Sequence, residues 1–142
     1  MSQAVVIVDT NVVVAGLLTA SNSSPVARIL DGMLAAALPF AVSEALLAEY
    51  HAVLVRPHLR TLHGLTTAEI ETILTLLAQH AIVLRPAAAP PAPDPGDQLL
   101  WDLLAARADL LLLVTGDKRQ VRDAPMKGRV VSPAAFLARV QP

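Results

Sequence analysis

The chain has 142 residues, a formal net charge of −1, no cysteine and 54% hydrophobic residues. This length suits one domain over residues 1–142, and the composition excludes disulfides, a largely disordered chain and recognition of nucleic acid by a global basic field. No apolar run approaches the roughly 18 residues of a membrane span, and the first residues lack the basic segment of a signal peptide. We therefore expect a cytoplasmic protein with no membrane partner.

The first apolar run, Val5 to Val8, predicts a short strand that is buried on both faces. Asp9 follows this strand directly. In open α/β sheets, ligands bind outside the carboxyl ends of the strands, which makes Asp9 a candidate for metal or proton chemistry. Its alternative role is that of a turn residue whose side chain accepts hydrogen bonds from the next backbone amides.

The rest of the chain alternates between helical and strand patterns. The predicted elements are a helix over 25–36, a strand over 39–42, a helix over 44–55, a polar connection over 56–65, a helix over 66–80, a strand over 81–84, a proline-rich loop over 86–96, a helix from 97, strands over 110–114 and 130–131, and a final helix over 133–140. This order predicts an α/β fold, a three-layer α/β/α sandwich with a mostly parallel central sheet of four to five strands.

Two carboxylates lie on the helix over 44–55. Glu44 falls in the first turn, where an acid stabilises the positive end of the helix dipole, so stability alone explains it. Glu49 lies in the middle of the helix at the rim of the apolar stripe, where no local structural role accounts for it. We therefore select Glu49 as the functional candidate.

Aspartates also stand at other element ends. The second buried strand, 110–114, is followed three residues later by Asp117. Asp97 begins the helix after the proline-rich loop, whereas Asp94 is interpreted as a cap or turn residue. Because parallel strands end at the same edge of a sheet, we expect Asp9 and Asp117 to lie side by side if their strands are neighbours.

These acids can converge on one edge of the sheet: Asp9, Glu49, Asp97 and Asp117. Carboxylates in one cleft repel each other and raise each other's pKa, so such a cluster requires a cation. Oxygen ligands without cysteine or suitably spaced histidines favour Mg²⁺ or Mn²⁺ over zinc. A hard divalent ion held by a few carboxylates is the usual apparatus for phosphodiester hydrolysis.

Four motifs occur in order: Val-Asp-Thr-Asn at 8–11, Ser-Glu at 43–44 with Glu-Tyr at 49–50, Asp-Pro-Gly-Asp at 94–97, and Val-Thr-Gly-Asp at 114–117. Together they resemble a PIN domain, close to the VapC-like toxins of bacterial toxin–antitoxin systems. The resemblance extends to the closing Ser-Pro and Phe-Leu pairs at 132–137. It implies a metal-dependent endoribonuclease with an α/β/α fold, which forms a homodimer and is silenced by an antitoxin protein.

The resemblance also implies roles for individual residues. The acidic metal-binding and catalytic set corresponds to Asp9, Glu49, Asp97 and Asp117. Asn11 and Thr115 match polar residues that hold those carboxylates in place, and Glu44 remains the alternative helix acid. Gly96 stands where family members often have a further Asp, which predicts weaker binding of a second metal ion.

A basic cluster follows Asp117 in the sequence, and it contains Lys118, Arg119, Arg122, Lys127 and Arg129. Such a run is usually only a solvated loop. Next to the predicted cleft, however, Lys118, Arg119 and Arg122 are expected to contact the RNA backbone. Those contacts would give affinity that depends on salt and little on sequence.

Three other interpretations stay open. A PIN-like binding or regulatory module with weak catalysis is compatible with the same motifs. Phosphoryl hydrolysis through an aspartate nucleophile is expected to need a second acid two residues after the first, where Asn11 stands. A receiver-type signalling domain would need an acidic pair near the first strand, and the sequence has none there.

Overall fold

The computed structural model describes residues 5–107, 109–119 and 129–140. The strands are β1 (Val5–Val8), β2 (Ala41–Val42), β3 (Ile82–Val83), β4 (Leu111–Val114) and β5 (Val130–Val131). The helices are α1 (Thr10–Leu18), α2 (Pro25–Leu34), α3 (Glu44–Leu54), α4 (Pro57–His63), α5 (Thr67–His80), α6 (Gln98–Ala106) and α7 (Pro133–Val140), with a short 3-10 turn over Pro95–Asp97 before α6. No helix in these ranges is long and apolar enough to cross a membrane.

Parallel pairing organises the strands around β1. β1 pairs with β4, which pairs with β5, and β2 and β3 form a second parallel pair. A single parallel bridge between Val6 of β1 and Phe40, which precedes β2, connects the two groups. The predicted α/β/α class with a mostly parallel sheet is therefore confirmed, although the strands divide into three and two instead of forming one continuous sheet.

The two longest strands form the centre of the core, as their aliphatic runs predict. Residues 6–8 of β1 and 111–114 of β4 are all at most 6% exposed. The surrounding elements contribute large apolar side chains to the same cluster, among them Ile29, Met33, Phe40, Leu46, Tyr50, Leu77, Leu103 and Phe136. Burial of apolar surface contributes about 25 cal/mol per Å², so this cluster is the main source of stability.

The outer strand β3 is shorter and more exposed than predicted. The strand expected over 81–84 is reduced to Ile82 and Val83, which are 44% and 55% exposed. Within the described part of the chain, β3 pairs only with β2. Its apolar residues therefore lie at the outer end of the strand arrangement and not in the core.

Helix α1 forms from a run of valines that does not predict a helix. β-branched residues lose side-chain freedom in a helix and have low helix propensity. Val12 and Val13 are nevertheless each 1% exposed, because α1 packs into the core. Gly16 lets α2 approach so closely that a Cβ atom there would meet the carbonyl oxygen of Val26 at 2.8 Å. Tertiary packing therefore overrides the local preference of this segment.

Helix α4 replaces the polar connection that we predicted over 56–65. Pro57 occupies its first turn, where a missing N–H costs little. Gly64 ends the helix in the left-handed conformation, with φ at 66°. Both residues are usually associated with loops, but here they bound a short helix that contacts α1 and α3.

The substitution Gly16→Ala tests the close approach of α1 and α2. Alanine is favoured over glycine inside a helix by about 1 kcal/mol, so helix propensity alone predicts a more stable variant. The added Cβ would overlap the Val26 carbonyl oxygen and lie 3.0 Å from the Cβ of Leu30. Overpacking of this kind costs about 1–3 kcal/mol. We expect urea titration to show a net loss of unfolding free energy, and a stabilised variant would contradict the close packing.

Candidate active site

The pairing of β1 with β4 brings the first acid of the site next to a buried hydroxyl. Val8 lies opposite Val114, so the residues that follow each strand are also neighbours. The Oγ1 of Thr115 donates a hydrogen bond of 2.7 Å to Oδ2 of Asp9. Thr115 is fully buried and Asp9 is 7% exposed. Asp9 is therefore a largely buried carboxylate that contacts the neighbouring strand in addition to the backbone amides of the turn that follows it.

Helix α3 positions Glu49 through a buried tyrosine. The hydroxyl of Tyr50 donates a 2.5 Å hydrogen bond to the carbonyl oxygen of Val8, the last residue of β1. Burial, together with the charges of Asp9 and Glu49, raises the pKa of Tyr50 far above its ordinary value, so the donor stays protonated. Next to this anchor, Oγ1 of Thr10 donates a 2.5 Å hydrogen bond to Oε2 of Glu49. The helix acid is thus held against the start of α1.

Glu44 lies elsewhere. It is exposed in the first turn of α3 and lines a different groove, together with Val83 and Arg85. Ser43 caps the same helix by accepting a hydrogen bond from the Leu46 amide at 3.1 Å. Of the two helix acids, only Glu49 lines the cleft that contains Asp9.

The proline-rich loop is pinned to α6 by two polar side chains. Gln98 accepts a hydrogen bond from the Ala92 amide at 2.7 Å through Oε1 and donates one of 2.9 Å to Asp102 through Nε2. Asp102 also accepts a hydrogen bond from the Ala89 amide at 3.1 Å. Because Gln98 directly follows Asp97, these contacts also fix the position of Asp97 in the cleft.

Asp117 is placed by the polar residues that were predicted to support the acids. Its amide donates to Oγ1 of Thr115 at 3.1 Å, so one hydroxyl contacts both Asp9 and the Asp117 backbone. The Gly116 amide donates to Oδ1 of Asn11 at 3.2 Å. Thr115 therefore acts directly on a carboxylate, whereas Asn11 acts through the backbone of the turn that carries Asp117.

A cleft of about 470 Å³ contains three of the four candidate acids, namely Asp9, Glu49 and Asp97. Asp117 does not line this cleft, but its charge acts on Asp97. Among the described residues, no three acidic, histidine or cysteine side chains are close enough together to hold a metal ion. The acids therefore share one edge of the fold without forming a ready-made coordination shell.

Burial raises the pKa of Asp9. The hydroxyl of Thr115 opposes this rise, as does the backbone amide of Asn11. The charge of Glu49 adds to the rise, and the Thr10 amide makes a further small opposing contribution. The net result is a carboxyl that holds its proton more tightly than an exposed aspartate does.

Burial also raises the pKa of Asp97, to about 6. The negative charges of Asp9, Asp94 and Asp117 contribute in the same direction, and Arg119 opposes them weakly. Asp94 itself accepts a hydrogen bond from the Gly96 amide at 2.9 Å, which agrees with its predicted role in a turn. The edge is thus a region of concentrated negative charge.

The basic cluster is described only in part. Lys118 and Arg119 are exposed, and Nε of Arg119 lies 3.5 Å from a carboxylate oxygen of Asp117. Arg129 uses its Nη2 to donate hydrogen bonds to the backbone carbonyls of Arg107 and Leu111, so it supports the fold. Arg122 lies outside the described residues, as does Lys127.

We predicted no role for Thr10 from the sequence, although it stands inside the motif that carries Asp9 and Asn11. It is 6% exposed and bonds to Glu49, a residue 39 positions away. The sequence feature that could have indicated this role is a hydroxyl next to a strand-end aspartate, because such a hydroxyl can reach a second carboxylate. Which carboxylate it reaches depends on how α3 packs, and no local pattern reports that packing.

The chain was compared with known protein families and with proteins that have curated descriptions. The family model described as PIN domain matches residues 5–119, a range that includes all four candidate acids. Among proteins with curated descriptions, none matches this chain.

Unfolding at different pH values tests the electrostatics of the cleft. The pKa of Asp97 is about 6 in the folded protein against 3.8 in a free aspartate, so the folded state binds this proton more tightly than the unfolded state does. The protonated carboxyl of Asp97 therefore adds to the free energy of unfolding below about pH 4. This contribution is lost as the pH rises through 6. We expect Asp97→Asn to remove that loss, so that in metal-free buffer its stability relative to the wild type increases from pH 4 to pH 7.

Urea titrations at pH 4, 5, 6 and 7 measure this difference. The matched control is Asp31→Asn, which removes an exposed carboxyl from α2, outside the cleft. The free energy of unfolding of this control is expected to change with pH as that of the wild type does. If the free energies of unfolding of Asp97→Asn and the wild type change in parallel with pH, the carboxyl of Asp97 ionises as an ordinary aspartate does.

Proposed function

Because this chain belongs to the PIN domain family, whose members are generally metal-dependent nucleases, we propose that it is an endoribonuclease that hydrolyses RNA phosphodiester bonds with Mg²⁺ or Mn²⁺. The observation that carries the proposal is the cleft that Asp9, Glu49 and Asp97 line together. These residues come from a strand end, the middle of a helix and the end of a loop, and they have no shared structural purpose. A site for a hard cation explains why they meet.

The donor set fits such an ion. The proposed ligands are the carboxylates of Asp9, Glu49, Asp97 and Asp117, and hard divalent cations prefer oxygen ligands. Burial and the charges of neighbouring carboxylates raise the pKa values of Asp9 and Asp97, so a bound cation would stabilise their ionised forms. Side-chain movement is needed to bring three of them to one ion, since the described residues form no such group. When bound, a divalent ion of this kind activates a water molecule and neutralises charge on the phosphate.

The residues of the chain prepare the cleft for this chemistry. Thr115 and Thr10 donate hydrogen bonds to Asp9 and Glu49, which fixes one oxygen of each carboxylate. Asp97 must release its proton before it binds a cation, so ion affinity is expected to fall below about pH 6. Lys118 and Arg119 are proposed contacts for the RNA backbone, together with Arg122.

The biological role that we propose is that of a toxin in a toxin–antitoxin pair. The motifs shared with VapC-like proteins support it, and on the same basis we propose an antitoxin protein as partner and a homodimer as the assembly. A cytoplasmic location follows from the proposed substrate, because bacterial RNA is found there. Induced expression in bacteria tests the role: growth arrest by the wild type and not by Asp9→Asn is the expected result.

The second candidate function is a PIN-like binding or regulatory module with weak catalysis. One observation favours this module: among the described residues, the acids are not spaced closely enough to form a preorganised ion site. The presence of all four acids argues for the enzyme. Cleavage assays separate the two candidates.

We expect purified protein to cleave a mixed RNA pool with Mg²⁺ or Mn²⁺, and not with EDTA. Asp9→Asn should abolish cleavage because it removes the most buried acid of the cleft. This variant also reveals any contaminating nuclease. Folded wild-type protein that is free of partner and cleaves no RNA at any metal concentration would favour the binding module.

A pair of variants on α3 tests the choice of helix acid. Glu49→Gln should reduce cleavage by at least about 100-fold, since removal of one group that acts on the transition state typically costs 10²- to 10³-fold. Glu44→Gln keeps cleavage near the wild-type rate, because Glu44 faces a different groove. Both rates are measured on the same RNA at saturating metal. The opposite pattern would reassign the helix acid to Glu44.

A second pair of variants tests the support of Asp9. Thr115→Val keeps the shape of the side chain and removes the donor to Asp9, whereas Thr115→Ser keeps the hydroxyl. We expect Thr115→Val to weaken metal binding about 10- to 100-fold, the usual effect of losing a partner of a metal ligand. Thr115→Ser should stay within a few-fold of the wild type. Calorimetric titration with Mn²⁺ measures both, and equal affinities in the two variants would exclude this role.

A further inference from the structure

The proline-rich loop between β3 and α6 contains an extended stretch that the proposed function does not involve. We call residues 89–93, Ala-Pro-Pro-Ala-Pro, the proline segment. No helix or strand covers residues 84–92. Proline fixes φ at about −65°, and a residue that precedes a proline is restricted to extended backbone. Every residue of the proline segment is a proline or precedes one, so the whole segment favours the polyproline II conformation.

Burial along the proline segment follows the period of that conformation. A polyproline II helix has three residues per turn, so residues three positions apart lie on the same side. Ala89 and Ala92 are partly buried and pack against the core. Pro90, Pro91 and Pro93 are exposed. Pro90 and Pro93 therefore form one outward ridge, and at about 3.1 Å per residue they lie about 9 Å apart along the segment.

The proline segment has no free backbone N–H group. Its prolines carry none, and both of its alanine amides donate hydrogen bonds to side chains of α6. The Ala89 amide donates to Oδ1 of Asp102 at 3.1 Å, and the Ala92 amide donates to Oε1 of Gln98 at 2.7 Å. The backbone thus offers a partner only hydrogen-bond acceptors. An added β-strand is excluded as the ligand, since strand pairing at an edge needs donors as well as acceptors.

Contacts with α6 hold the proline segment in place before any partner binds. Besides the two alanine amides, Nε2 of Gln98 donates to the carbonyl oxygen of Pro90 at 3.3 Å. Just before the segment, the Ala87 amide donates to the carbonyl oxygen of Asp102 at 3.0 Å. A flexible chain loses conformational entropy when it binds, whereas a segment that is already fixed loses little. The proline segment is therefore preorganised as a ligand.

We propose that the proline segment is a docking site for a protein domain whose groove is lined by aromatic side chains. Grooves of this kind bind polyproline II segments. Their aromatic faces pack against proline rings, and a tryptophan N–H or a tyrosine hydroxyl donates to backbone carbonyls. Two prolines on one ridge, together with acceptors and no donors, match that chemistry.

The partner is a different protein and not a second copy of this chain. The chain has one tryptophan, one tyrosine and two phenylalanines, and all four are at most 3% exposed: Trp101, Tyr50, Phe40 and Phe136. No copy can therefore present an aromatic groove. Docking is also independent of the proposed nuclease activity, because none of residues 89–93 lines the acidic cleft.

An NMR titration with two isotope-labelled probes, an SH3 domain and a WW domain, tests the proposal, because both bind polyproline II segments in aromatic grooves. The unlabelled full chain is added, and the indole N–H signal of the groove tryptophan is followed. We expect a saturable shift, which is lost when alanine replaces that tryptophan in the probe. No shift in either probe at about 1 mM of the chain, or shifts only outside the groove, would overturn the proposal.

Two variants of the chain locate the contact. Combining Pro90→Ala with Pro93→Ala removes both rings of the ridge and introduces two N–H groups, so it should weaken binding at least about 10-fold. Pro57→Ala is the matched control and should bind as the wild type does, because Pro57 is also exposed but begins α4. Circular dichroism verifies that both variants are folded. A folded double variant with wild-type affinity would overturn the assignment to the proline segment.

Discussion

The parallel register between β1 and β4 is the constraint on which the candidate site depends. It sets Val8 opposite Val114, and as a result Asp9 meets the hydroxyl of Thr115. A shift by one residue would turn every side chain of the strand to the other face of the sheet. Because both strands are buried on both sides, such a shift would also displace the core. The packing of the aliphatic strands therefore stabilises the positions of the acids.

The acids themselves work against this stability. Burial and mutual repulsion raise the pKa values of Asp9 and Asp97, so their ionised forms are less favourable in the folded chain than in water. The hydroxyls of Thr10 and Thr115 offset part of that cost by donating to Glu49 and Asp9. The cation that we propose for this site would offset the remainder of that cost.

Much of the site could be predicted from the sequence because strand ends in a parallel sheet meet at one edge. That rule placed Asp9 and Asp117 together, and helix periodicity distinguished Glu49 at the rim from Glu44 in the first turn. In the structure, the hydroxyl of Thr115 contacts both Asp9 and the backbone of Asp117, and Glu49, unlike Glu44, lines the cleft that contains Asp9.

What could not be predicted depends on contacts between distant segments. Helix α1 forms despite its valines because the core and the close approach at Gly16 stabilise it. The bond from Thr10 to Glu49 requires α3 to be anchored to β1 by Tyr50. Helix α4 escaped prediction for a different reason: proline and glycine mark both helix ends and loops, and the sequence alone does not say which of the two applies.

The proline-rich loop holds Asp97 independently of the strands that hold Asp9. Asp97 is carried by a segment whose position depends on Gln98 and Asp102 of α6, and not on the strands that hold Asp9. Substitutions in the loop can therefore alter the surroundings of Asp97, and with them its pKa, while the core remains unchanged.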